Sequence, residues 1–113
     1  MGEISITNGK VVRINAQTGT TYTAVLSDAD ESYLTLSNAA AIAFTIPPNS
    51  TTPFDIGAII AGKQLGAGQV TITAGAGVTI NTEVGLKTNA QHSPFSLIQT
   101  AINTWEAAGS LAA

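Results

Sequence analysis

Two glycine-alanine-glycine triplets, residues 66–68 and 75–77, are the first candidates for chemistry, because glycine-rich turns often bind phosphate groups. A dinucleotide fingerprint needs a further glycine three residues after the second one, and Thr71 and Ile80 occupy those positions here. Both triplets also lead into alternating strand patterns, whereas phosphate is bound at the start of a helix. We therefore expect these glycines to form turns in which the backbone adopts a positive φ.

The acidic turn that contains Asp28, Asp30 and Glu31 is a second candidate, since carboxylate oxygens are the ligands that calcium prefers. The turn lacks the glycine and the distal glutamate of an EF-hand loop. Side chains at such a turn are expected to be solvated. No metal site is predicted, and the sequence leaves open whether these three carboxylates bind a cation.

The single histidine, His92, precedes Ser93 and is the third candidate, because any Ser-His-Asp triad in this chain must use it. Adjacent residues of an extended segment point to opposite faces, so these two cannot form the nucleophile–base hydrogen bond. No serine lies in a nucleophile elbow, and no clustered carboxylate pair is present for glycoside hydrolysis. We predict that the chain is not an enzyme and has no catalytic residues, no cofactor and no small-molecule substrate.

The composition is poor in charge: 10% of the 113 residues are charged and 44% are hydrophobic, with a formal net charge of −3. Exposed strand edges are normally protected by charged residues or proline, so we expect edges and faces that are buried between subunits. Four lysine and arginine residues provide no basic footprint for nucleic acid. No apolar run is long enough to span a membrane, and no signal peptide is expected. With no cysteine, stability must come from packing and assembly.

An N-terminal β-hairpin is predicted from Asn8 and Gly9, which separate two alternating runs. We expect residues 1–18 to form this hairpin or arm and residues 19–113 to form one β domain. Because the hairpin lies outside that domain, it is expected to contact either a partner protein or another subunit. The residues predicted for this contact are Ile4, Ile6, Val11, Val12 and Ile14.

The rest of the chain shows short alternating stretches with turn signals between them and no sustained helical period. We predict an all-β domain of about ten short antiparallel strands in a compact sandwich or barrel-like arrangement. Asn103 is predicted to form the turn between two closing strands. The predicted core residues are Phe44, Ile46, Ile72, Ile80 and Trp105.

Four phrases between residues 21 and 113 occur in an order that resembles a small all-β module of tailed-bacteriophage structural proteins. They are TYTAVLSDADESYLTLSN, FTIPPNSTTPFDIGAII, QLGAGQVTITAGAGVTIN and LIQTAINTWEAAGSLAA. The resemblance implies a virion component found in head decoration, head-fibre or tail-fibre proteins, and such modules are typically trimeric. It supplies no catalytic residues.

In this sequence only residues 1–20 precede the module, so we expect no fibre shaft. The sequence therefore favours a homotrimeric capsid decoration, or cement, protein that binds the phage major capsid protein on the outer head surface and stabilises the shell. In that case the N-terminal hairpin is expected to contact either the capsid or another subunit. Such a protein is made in the host cytoplasm and ends in the virion. The alternative is a tail-fibre or head-fibre tip that attaches to the host surface.

Overall fold

The computed structural model describes residues 11–113, and within them the chain is all-β, as predicted, with one short 3₁₀ helix at Leu26–Ala29. The strands are β1 (Arg13–Gln17), β2 (Thr21–Thr23), β3 (Ser32–Leu36), β4 (Ile42–Ile46), β5 (Ile59–Gln64), β6 (Val70–Ala74), β7 (Thr79–Thr82), β8 (Lys87–Thr88), β9 (Pro94–Ala101), β10 (Thr104–Gly109) and β11 (Leu111–Ala112). They form two sheets. The first sheet has the order β1-β3-β5-β9-β10-β7, and the second has the order β11-β8-β6-β4-β2.

The first six strands alternate between the two sheets, so that each successive pair makes one coil of a solenoid-like stack. Strand β3 pairs in parallel with both β1 and β5, and β4 pairs in parallel with both β2 and β6. The predicted antiparallel sandwich or barrel is therefore wrong for this part of the chain. Side chains alternate in the same way in parallel and antiparallel strands, so the sequence pattern does not reveal the direction of pairing. Here each turn takes the chain to the other sheet, whereas a hairpin turn would pair the next strand with the one before it.

Antiparallel pairing appears towards the C-terminus, where β9 pairs with both β5 and β10, and β8 pairs with both β6 and β11. The β9–β10 connection turns at Asn103, whose φ of 62° confirms the predicted turn there. Strand β10 also pairs in parallel with β7, which ends the first sheet.

The core lies between the two sheets and is built mainly from aliphatic side chains. Phe44, Ile46, Ile72 and Trp105 are buried in it, and Ile80 is partly buried and packs against it. The indole of Trp105 meets the ring of Phe54 edge-on, with the ring centroids 5.3 Å apart. The two rings bury a large apolar surface in a core that is otherwise mainly aliphatic.

The N-terminal strand of the predicted hairpin, with Ile4 and Ile6, lies outside the described residues. Of the second strand of that hairpin the structure describes residues 11–14: Val11 and Val12 precede β1, which begins at Arg13 and pairs in parallel with β3 in the first sheet. Asn15 and Gln17 of β1 stand beside the buried Leu34 and Leu36 of β3, so the first coil places polar side chains over the end of the core. Terminal repeats of solenoids commonly carry such a polar cap.

The glycine triplets lie at the corners of the stack, where one coil rests on the backbone of the coil before it. A Cβ at Gly66 would lie 2.8 Å from the backbone nitrogen of Asn38, and one at Gly75 would lie 2.8 Å from the carbonyl oxygen of Ile46. At Gly68 a Cβ would collide with the carbonyl group of Ala40. The predicted positive φ occurs at Gly77 alone among the four glycines of the two triplets, so the other three serve close approach between coils.

We predict that Gly68→Ala destabilises the protein by about 3 kcal/mol, because the added methyl group must push two coils apart. Gly57→Ala is the matched control: its φ is 91°, but a Cβ there meets nothing within 4 Å, so the cost is backbone strain alone, about 1 kcal/mol. Chemical denaturation measures both variants. Equal stability of the two would contradict the close-packed corner.

Candidate interaction surface

The predicted contact residues that the structure describes are all exposed. Val11 and Ile14 keep 87% and 59% of their accessible surface, and Val12 is exposed as well. Ile14 lies on the outer face of β1, while Asn15 beside it faces the interior. These side chains add nothing to the core, so their apolar surface is available for contact with another molecule.

The outer face of the first sheet carries an apolar strip across β1, β3, β5 and β9, with polar residues on either side of it. Ile59 of β5 and Ile98 of β9 are both exposed and stand directly opposite each other in the antiparallel ladder. Ile14, Tyr33 and Ala61 follow one another across β1, β3 and β5 in one register row. This row and the isoleucine pair together form the apolar strip.

Charge is scarce on this face, where the outward positions of the six strands carry only two charged residues, Lys63 and Glu106. The Glu106 carboxylate accepts a hydrogen bond of 2.8 Å from the amide of Asn81 on the neighbouring strand β7. Few charges therefore accompany the apolar strip, which favours its burial against another molecule.

The outer face of the second sheet differs in chemistry, since most of its outward positions are threonines. Thr23, Thr45 and Thr73 stand in one register row across β2, β4 and β6, and Thr21 and Thr71 lie in the adjacent row. Threonine combines high strand propensity with a hydroxyl group that water can bind. This face is compatible with solvent, which makes the first sheet the better candidate for a contact surface.

A groove of about 480 Å³ opens between the 3₁₀ helix and the loop before β5. Its two charged lining residues, Asp30 and Asp55, are both acidic. The groove adjoins the apolar strip of the first sheet. Ala58 lines the groove, and the next residue, Ile59, belongs to the strip. Its lining residues are Leu26, Ala29, Asp30, Pro53, Phe54, Asp55, Ile56, Gly57 and Ala58.

The carboxylate of Asp28, which is 1% exposed, fixes the helical wall of this groove. One oxygen accepts a hydrogen bond of 2.8 Å from the amide of Asn15, and the other accepts bonds from the hydroxyl of Tyr22 at 2.7 Å and the backbone N–H of Val25 at 2.9 Å. These donors come from β1, from β2 and from the residue before the helix. A buried carboxylate that lacked such donors would be strongly destabilising.

The Asp28 carboxylate also affects the pKa of the Tyr22 phenol. Burial, together with the hydrogen bond to Asp28 and its negative charge, raises the pKa of Tyr22 to about 12. The phenol therefore stays neutral and continues to donate to Asp28 far above neutral pH.

Gln99, a buried residue of β9, fixes the opposite wall. Its side-chain amide donates to the carbonyl oxygens of Phe54 at 2.9 Å and Asp55 at 3.0 Å, and its side-chain oxygen accepts from the backbone N–H of Asn103. Its backbone groups bond to those of Gly57 and Ala58. The loop wall is thus held in place without forming a strand.

The sequence candidates for chemistry are not brought together. His92 is exposed in a turn with a φ of 73°, and the hydroxyl of the buried Ser93 hydrogen-bonds to Ser110 and to the backbone of Ala90. Asp28 is engaged as a structural acceptor, whereas Asp30 is exposed. Within residues 11–113 no group of three potential ligands is placed to hold a metal ion.

Comparisons of the chain with protein-family models, with curated proteins and with solved structures gave no match. The resemblance to the phage module therefore rests on the sequence motifs alone. No helix in the described part of the chain is long and apolar enough to cross a membrane.

Sequence reasoning missed the groove and both side chains that hold its walls. The acidic turn is expected from the sequence to be solvated, but the Asp28 side chain is buried. Its partners Asn15 and Tyr22 lie in the two preceding strands, β1 and β2. Gln99 alternates with the apolar Phe95 and Leu97 in β9, and that alternation was the available signal that it faces the core.

We predict that Asp28→Asn destabilises the fold by about 3 kcal/mol. Both carboxylate oxygens accept hydrogen bonds, and in the variant one of them is replaced by an NH₂ group that faces other donors. Asp30→Asn, two residues away and exposed, is the control and should change stability by less than about 0.5 kcal/mol. Thermal and urea unfolding compare the two. Similar losses in both variants would show that the Asp28 carboxylate does not hold the first coil.

We further predict an alkaline loss of stability that depends on Tyr22. The phenol pKa is about 12 in the folded chain and about 10 in the unfolded chain, so its contribution is complete below pH 10 and is lost as the pH rises towards 12. The denaturation midpoint of the natural protein should therefore fall more steeply in this range than that of Tyr22→Phe. Parallel curves for the two proteins would contradict this, and absorbance titration of the phenols provides an independent reading.

Proposed function

We propose that this protein is a homotrimeric capsid decoration protein of a tailed bacteriophage, which binds the outer surface of the head and stabilises the shell. The observation that supports assembly most directly is the apolar strip on the outer face of the first sheet, where the exposed Ile59 and Ile98 are paired on the two central strands. Assembly around a threefold axis would remove this surface from water.

The virion context comes from the resemblance of residues 21–113 to the phage module. Its partners would be two further copies of the chain and the major capsid protein. The 13.8 Å radius of gyration is that of a small compact unit, which fits a surface protein present in many copies. No chemical step is involved, since the protein acts by adding contacts that the shell alone lacks.

The assembly is tested by light scattering on a sizing column. We expect a trimer for the natural protein and dissociation for Ile59→Lys, because a lysine in the buried face would lose its hydration. Thr73→Lys, on the outer face of the second sheet, is the matched control and should remain trimeric. A monodisperse monomer of the natural protein at micromolar concentration would contradict the proposed trimer.

The binding partner is tested by mixing the purified protein with mature phage heads and with host cells. A decoration protein should sediment with the heads and raise their resistance to heat. Binding to cells or to their surface glycans, without binding to heads, would favour the fibre-tip alternative.

A further inference from the structure

The acidic groove and the exposed valines Val11 and Val12 are two unpartnered surfaces of the same chain. Leu26 and Ile56, which line opposite walls of the groove, keep 49% and 61% of their surface exposed. A volume of about 480 Å³ is within the usual range for a pocket that receives side chains or a small ligand. Because Asp28 and Gln99 hold the two walls, the groove exists before anything binds to it.

The valines are suited to this groove in both shape and charge. They are small, exposed and apolar, and Lys10 and Arg13 flank them in the sequence. Arg13 is anchored on its own chain, where its backbone N–H donates to the carbonyl oxygen of Glu31 and its guanidinium donates to that of Ser27. The valines therefore leave the sheet from a fixed point, beside the residues that form the helical wall.

We infer that Val11 and Val12 of one copy occupy the groove of the next copy, between the helical wall and the loop wall. The two surfaces are different patches of one chain, so the contact is head-to-tail, and three such contacts close a ring. The inference rests on the proposed trimer and identifies how its subunits recognise one another. It also gives the predicted contact residues Val11 and Val12 a specific partner.

Engineered disulfides test the contact without interference, because the chain has no cysteine. In the double variant Val11→Cys, Ile56→Cys, mild oxidation should give chains covalently linked up to the trimer on a non-reducing gel. The control pairs Val11→Cys with Val84→Cys, since Val84 is similarly exposed but lies in the loop between β7 and β8. The control should give no linked trimer.

Light scattering of the reduced double variant separates the two claims. A trimer that forms only intrachain disulfides, or none, would overturn the groove contact and leave the trimer standing. If the Val11–Val84 control formed the linked trimer instead, the valines would contact the β7–β8 loop of the next copy. That result would also overturn the groove contact. A monomer under all conditions would contradict the contact and the proposed trimer together.

Charge reversal gives a second readout in the complete chain. Asp55→Lys should weaken trimer formation on the order of tenfold, since the groove would then repel the basic residues that flank the valines in the sequence, and the further change Lys10→Glu should restore it. Circular dichroism confirms that each variant is folded. Unchanged assembly of Asp55→Lys, or no recovery in the double variant, would contradict the proposed pairing.

Discussion

The burial of one fully hydrogen-bonded carboxylate is the interaction on which the N-terminal end of the molecule depends. A solenoid exposes its core wherever the stack of coils ends, and here the first coil closes that end with polar side chains instead of apolar ones. Asp28 makes this possible because it accepts hydrogen bonds from Asn15, from Tyr22 and from the backbone of Val25. The same contacts join β1 and β2 to the residue before the helix and so hold the helical wall of the groove.

A second constraint acts at the corners of the stack. Parallel coils approach closely only if the turns between strands carry no side chain at the point of contact, which explains the glycines at positions 66, 68 and 75. Their role is architectural, and no phosphate chemistry is needed to account for them. These corners let successive coils pack closely and stay in register. The result is two sheets whose outer faces differ: one carries the apolar strip, and the other is mostly threonine.

Much of the strand content follows from the sequence, because Ile42, Phe44 and Ile46 alternate clearly and prolines end their strand. The direction of pairing does not follow, since Thr71 and Ile72 would alternate in the same way in a parallel or an antiparallel ladder. The turns decide the direction, and their geometry depends on contacts between coils that are distant in sequence. For the same reason the groove was not predictable: its walls come from residues 26–30 and 53–58, which are joined only by the fold.

The proposed trimer connects these features. The apolar strip of the first sheet and the exposed valine pair leave the isolated chain with apolar surface in water, and a ring of three copies would cover both and fill the groove beside them. The most direct test of the central claim is an electron-microscopy reconstruction of the virion that carries this protein. The account predicts threefold density of this size on the outer surface of the head. Density confined to the tail, or single unassociated copies, would contradict it.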